Sequence, residues 1–122
     1  MARPARSRKI CSIPRYRTFE ASENTEDVDV EKAGAVTLTF DEYEAIRLID
    51  YLGRTHEQCA LHMGISRTTV TEIYERARYK LSDMIVNGKG LIIDGGSISV
   101  CGTGIQGACS GACSMACTSD RN

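Results

Sequence analysis

The sequence predicts a mainly α domain: a three-helix unit containing a helix-turn-helix, with a small β-hairpin behind it and a cysteine-rich tail. Three observations carry that prediction. Two capping-box signatures, "TFDE" at Thr39–Glu42 and "THEQ" at Thr55–Gln58, each open a segment with apolar residues at helical spacing. The break at Gly64–Ile65–Ser66 separates two helical segments by one tight turn. "KGLIIDGGSISVC" reads as two short β-prone runs turning at Asp94–Gly95–Gly96.

The 122 residues fit one domain with tails. An apolar fraction of 42% supplies a small core, marginal unless it is stapled or oligomerised. Three zones follow: residues 1–34 form a basic arm and an acidic loop, 35–100 the helix-turn-helix domain with its hairpin, and 101–122 the tail. The net charge of -1 hides an asymmetry. Arg3, Arg6, Arg8, Lys9, Arg15 and Arg17 stand in the first nineteen positions with no acidic residue among them. "EASENTEDVDVEKAG", residues 20–34, is acidic and poor in large apolar residues, and reads as a mobile loop. A separate basic arm suits phosphate contact; charge alone is equally compatible with a solvated tail.

The elements follow in order. "AVTLTF" alternates and is β-prone. From the Thr39 cap, Tyr43, Ile46, Ile49 and Leu52 define one helical face, widened by Ala45 and Leu48, and Gly53 ends it. The next helix is short, with Cys59, Ala60 and Met63 inward, and Gly64 stops it. Ser66 caps a third helix whose inner face is Val70, Ile73, Tyr74, Ala77, Leu81, Met84 and Ile85. Asn87–Gly88 closes it.

The Gly–Ile–Ser break has a function-bearing interpretation. Glycine permits the left-handed backbone that ends the first helix, and Ile65 fills the corner. Ser66 then caps a helix whose first exposed residues are Arg67, Thr68, Thr69, Thr71 and Glu72, with Arg76 a turn further on. The N-terminal part of a recognition helix meets base edges in the major groove. Arginine bonds guanine in bidentate fashion, and threonine bonds bases or phosphate or touches a thymine methyl. The expected DNA-contacting set is therefore Ser66, Arg67, Thr68, Thr69, Thr71, Glu72 and Arg76, with Arg3, Arg6, Arg8 and Lys9 of the arm on phosphate. A small helical hairpin with solvated Arg and Thr side chains is the bland alternative.

"THEQCALHMGISRTTVTEIYERARYKL" resembles the region-four helix-turn-helix of sigma factors. The wider chain is similar to a family of small uncharacterised prokaryotic proteins predicted to bind DNA, through "MARP", "RKICSIP", "LTFDEYEAIRLID" and "MIVNGKGLIIDGG". Together these cover most of residues 1–96, with the acidic stretch 20–34 outside the resemblance. What the resemblance implies is transcription regulation. The chain carries nothing like the sigma region that binds a −10 element, so it is not read as a sigma factor.

The cysteines are the other chemically loaded feature. Cys101, Cys109, Cys113 and Cys117 cluster in the tail, the last three at every fourth residue. Several thiols in a reducing compartment read as ligands for Zn²⁺ or an Fe–S cluster before they read as disulfides, although the spacing is not that of a zinc ribbon or ferredoxin, and a flexible tail with free thiols is the alternative. Cys11 is a further candidate ligand. Cys59 is assigned to packing, because a reduced cysteine behaves as a small hydrophobe. His56 and His62, six residues apart, cannot share a helical metal face and are given no ligand role.

No catalytic constellation stands out, and the Gly102, Gly104, Gly107 pattern lacks a βαβ context. The expectation is a non-enzymatic, sequence-specific regulator of double-stranded DNA, forming a homodimer or larger homo-oligomer. With no secretory signal and no membrane span, it is expected in the cytoplasm. The main alternative is a metal or Fe–S binding or sensing protein whose helix-turn-helix contacts a protein partner. A thiol-dependent redox enzyme comes third.

Overall fold

The computed structural model describes residues 7–22 and 34–100. In chain order the elements are β1 (Arg8–Ile10), β2 (Thr18–Phe19), β3 (Ala35–Leu38), α1 (Phe40–Ile46), α2 (His56–Met63), α3 (Arg67–Asn87), β4 (Gly90–Ile93) and β5 (Ile98–Val100). A π-helical turn, Arg47–Tyr51, extends α1, with the Leu52 N–H donating to the Arg47 carbonyl at 2.9 Å. This is a small mixed α/β fold, which corrects the expectation of a mainly α domain with a hairpin.

The correction lies in what β4 and β5 pair with. The glycine turn between them is real: Gly95 and Gly96 have φ of 85° and 96°. It does not close a hairpin. β5 runs parallel to β1, with Arg8, Lys9 and Ile10 opposite Ile98, Ser99 and Val100. β4 lies between β2, antiparallel, and β3, parallel. The turn is held against the start of α1 instead. The Phe40 N–H donates to the Gly95 carbonyl at 3.0 Å. A Cβ on Gly96 would stand 2.9 Å from Asp41 Oδ1, so only glycine fits this approach. The missing partners come from the basic arm, whose charge masks two short strands.

The helices match the expected caps. Thr39 and Thr55 both form complete capping boxes, and Ser66 accepts from the Thr69 N–H at 3.1 Å. Gly64 ends α2 in the left-handed conformation at φ 70°.

Two apolar clusters form the core. Ala45, Leu48, Cys59, Ala60, Met63, Val70 and Ile73 join α1, its π turn, α2 and the first half of α3. Ile10, Val36, Leu38, Phe40, Ala77, Leu91 and Ile93 join the strands to α1 and the middle of α3. Strands β3 and β4 bury alternate residues, as a one-sided sheet requires. Ile10, Leu48, Met63 and Ile73 are fully buried, each contributing about 1.5–3 kcal/mol of transfer free energy. Because α3 runs through both clusters, its N-terminal end is fixed relative to the sheet.

Candidate functional site

Two polar regions qualify, and α2 belongs to both. The first is the turn from α2 into α3. Ile65 is half-buried against the first cluster, as the corner residue should be. Ser66 spends its hydroxyl on the cap and on the Thr69 hydroxyl, 2.8 Å away. Arg67, Thr68 and Glu72 are exposed, while Thr69 and Thr71 are half-buried. The Thr71 hydroxyl donates to the Arg67 carbonyl and lies 3.1 Å from His56 Nδ1. Arg67 touches Glu57 at 3.5 Å, with both side chains largely in solvent, a contact worth little. Arg76 is exposed but leans to Glu42, 3.5 Å away. No acidic residue stands in the first turn of α3, so the positive end of its dipole is not neutralised from within the helix.

The expected arm residues separate. Lys9 is exposed on β1. Arg8 is half-buried, its Nε 3.5 Å from Asp41. Arg3 and Arg6 lie outside the described residues, as do Cys101, Cys109, Cys113 and Cys117.

The second region is buried, and of the candidates named from the sequence it contains only Cys11. Cys11 directly follows β1, Glu44 sits in α1 and His62 in α2; all three are buried, Glu44 completely. His62 Nε2 is 3.3 Å from Cys11 Sγ and 3.2 Å from Glu44 Oε2. The Cys11 backbone N–H donates to the same Oε2 at 2.7 Å. Arg47 grips the carboxylate from the other side, Nε to Oε1 at 2.6 Å and Nη2 to Oε2 at 3.1 Å. Burial alone would raise the Glu44 pKa. Hydrogen bonds from His62, Arg47 and the Cys11 N–H outweigh burial and bring it down to about 2, so Glu44 is an anion. Cys59, nearby in the apolar cluster, is the opposite case: burial pushes its thiol up to about 12, consistent with a packing role.

Thiol, carboxylate and imidazole atoms of Cys11, Glu44 and His62 all lie within 4.8 Å of one another, and could hold a metal ion. They do not form a nucleophilic triad. There the imidazole bonds the nucleophile through one nitrogen and the carboxylate through the other; here Nε2 faces both.

Glu44 and His62 carried a signal that pattern reading passed over. Phe40, Glu44 and Leu48 are spaced i, i+4, i+8, which puts a carboxylate in line with two core residues. His62 lies three residues after Cys59 and beside Met63, both fully buried. A charged group on a buried line implies a partner brought from elsewhere in the chain.

The family model described as "Protein of unknown function DUF134" matches residues 1–101. The chain belongs to the DUF134 family. Its relatives include a UPF0251 protein of Desulfitobacterium hafniense (strain Y51), 45% identical over 101 residues, covering 83% of this chain and 78% of that protein. A UPF0251 protein of Chloroherpeton thalassium is 42% identical over 106 residues, 87% of this chain and 68% of that one. A third, from Methanococcus maripaludis (strain C6), is 39% identical over 94 residues, 77% and 69% of the two chains. No solved structure matches at a significant level. The DUF134 match spans both polar regions, whereas Cys109, Cys113 and Cys117 fall beyond it. Among the described residues no helix is long and apolar enough to cross a membrane.

Proposed function

We propose that this DUF134 protein is a sequence-specific DNA-binding transcriptional regulator that reads the major groove with the start of α3. The observation that carries the reading is the presentation of that helix end. Ser66 caps it, Val70 and Ile73 anchor it in the core, and Arg67, Thr68 and Glu72 project from it into solvent. A capped helix start with exposed Arg and Thr matches how base edges are contacted. The unneutralised helix dipole favours a phosphate beside it.

One such module gives modest affinity, so the regulator works as a homodimer or larger homo-oligomer on repeated half-sites. Tyr79, Ile85 and Val86, exposed on the second half of α3, offer apolar surface for a second copy. Cys101, Cys109, Cys113 and Cys117 are kept as ligands for Zn²⁺ or an Fe–S cluster in a tail that reports to the DNA reader.

The test is selection of bound sequences from a random duplex library, followed by titration of the winner and a scrambled duplex at several salt concentrations. The reading expects a selected sequence bound at least about 10³-fold tighter than the scrambled one. Equal, weak binding to both would overturn it and leave the helix-turn-helix as a contact for a protein partner.

A further inference from the structure

The buried cluster of Cys11, Glu44 and His62 is unused by the DNA-reading surface. We propose that these three residues bind a Zn²⁺ ion, which ties the segment after β1 to α1 and α2.

The donor set fits. Zinc takes thiolate, imidazole and carboxylate ligands, here one of each from three separate segments. An Fe–S cluster draws mainly on cysteine thiolates, and one cysteine does not hold it. The spacing fits as well. Around a tetrahedral zinc, a sulfur and a nitrogen ligand stand roughly 3.6 Å apart, and a nitrogen and an oxygen ligand roughly 3.4 Å, from the usual bond lengths. The corresponding distances are 3.3 and 3.2 Å. A small outward movement of each side chain makes room for the ion.

The electrostatics point the same way. Nε2 carries at most one proton, yet it faces a sulfur and a carboxylate oxygen at nearly equal distance. A cation between the three atoms meets all of them at once, with no proton needed between any pair. On binding, Cys11 gives up its thiol proton to solvent and His62 presents the Nε2 lone pair. The Cys11 thiolate and the Glu44 carboxylate then cancel the two charges of the ion. Arg47 remains on Glu44 Oε1 as the outer partner that orients a ligating carboxylate. Three protein ligands leave one tetrahedral position for a further donor.

The tail cysteines must not confuse the test, so the full-length chain is made with Cys101, Cys109, Cys113 and Cys117 replaced by serine. After treatment with chelator it is titrated with Co²⁺ as a coloured stand-in, then with Zn²⁺. The proposal expects one equivalent of Co²⁺, a thiolate-to-cobalt charge-transfer band, and displacement of the cobalt by zinc. Cys11→Ser should abolish the band, and Glu44→Gln and His62→Gln should each weaken Zn²⁺ binding at least 10-fold. Less than half an equivalent bound, or a band that survives Cys11→Ser, overturns the proposal. X-ray absorption of the zinc-loaded chain needs none of these three variants to fold. It should show one sulfur near about 2.3 Å and nitrogen or oxygen neighbours near about 2.0–2.2 Å. A shell without sulfur overturns the assignment independently.

Discussion

The start of α3 and the cluster around Glu44 are both polar, and they are built in opposite ways. At α3 the groups are contiguous in sequence, Arg67, Thr68 and Glu72 are exposed, and the Arg67 side chain meets an exposed Glu57 at 3.5 Å. Around Glu44 the groups come from positions 11, 44, 47 and 62, and the carboxylate is fully buried among three hydrogen-bonding partners. Surface groups leave the energy of the fold nearly untouched and are available to a ligand. Buried groups are coupled to the fold, so whatever acts on them acts on stability.

The sharpest way to break that contrast is to remove one residue from each region. Glu44→Ala leaves Arg47 and His62 facing a cavity without their anion, and should cost about 3–5 kcal/mol in denaturant unfolding. Arg67→Ala should change stability by less than about 0.5 kcal/mol. Comparable small losses for both would mean that solvent reaches the cluster and that its buried geometry does not describe the folded chain.

Acid sharpens the same contrast in chelator-treated protein. The folded pKa of Glu44, about 2, lies below the ordinary value of 4.5, so its ionised form stabilises the fold. That stability is complete above the unfolded pKa. It is lost as pH falls from about 4.5 toward 2, amounting to about 3 kcal/mol. Glu44→Gln should flatten this acid limb, measured by unfolding at fixed pH steps. An unchanged acid limb in that variant would assign the loss to other carboxylates, with Glu42 next in line: it too is held below its ordinary value, where bonds from Lys80 and Thr39 outweigh burial.

The difference also explains what could be read without coordinates. Caps, the Gly64 turn and the faces of α2 and α3 are local, and the residues that make them lie within one or two helical turns. These are legible with one correction: Ile85, expected on the inner face of α3, is exposed near the end of that helix. The packing role of Cys59 and the corner role of Ile65 are legible as well. Strand partners are not local. β4 and β5 look like a hairpin because a two-glycine turn joins them. Their actual partners, β1, β2 and β3, are defined by burial of Ile10, Val36 and Leu38 against α3 and by the contact of Gly96 with Asp41. The buried cluster hides for the same reason. Cys11 and Glu44 are separated by 33 residues, and the packing of β1 against both α1 and α2 brings the cluster together.

Under the proposed DNA-reading function the order of the two regions should reverse. Arg67→Ala should lower binding to the selected sequence by about 1–3 kcal/mol and relax choice at one base position. Fluorescence anisotropy on the selected and scrambled duplexes reads both quantities. An equal loss on the two duplexes would move Arg67 from a base edge to a phosphate, and no loss would remove it from the interface.

The smallest effect concerns the arm, whose charges the structure divides. Arg8 and Lys9 belong to β1, and Arg8 stands beside Asp41. Removing them would disturb the β1–β5 pairing as well as the charge. Arg3 and Arg6 precede the described residues, and neither is among the β1 residues paired with β5. Each arginine that neutralises a phosphate steepens the dependence of log affinity on log salt by ~0.9, because it releases condensed counterions. Deleting residues 2–6 should therefore weaken binding to selected and scrambled duplexes alike and reduce the salt slope by about 2. The ratio between the two duplexes should stay constant, since phosphate contacts carry no sequence information. A slope that does not change would place Arg3 and Arg6 away from DNA. A changed ratio would instead place one of them on a base edge in the adjacent minor groove, where arms of this kind also read width and A·T content.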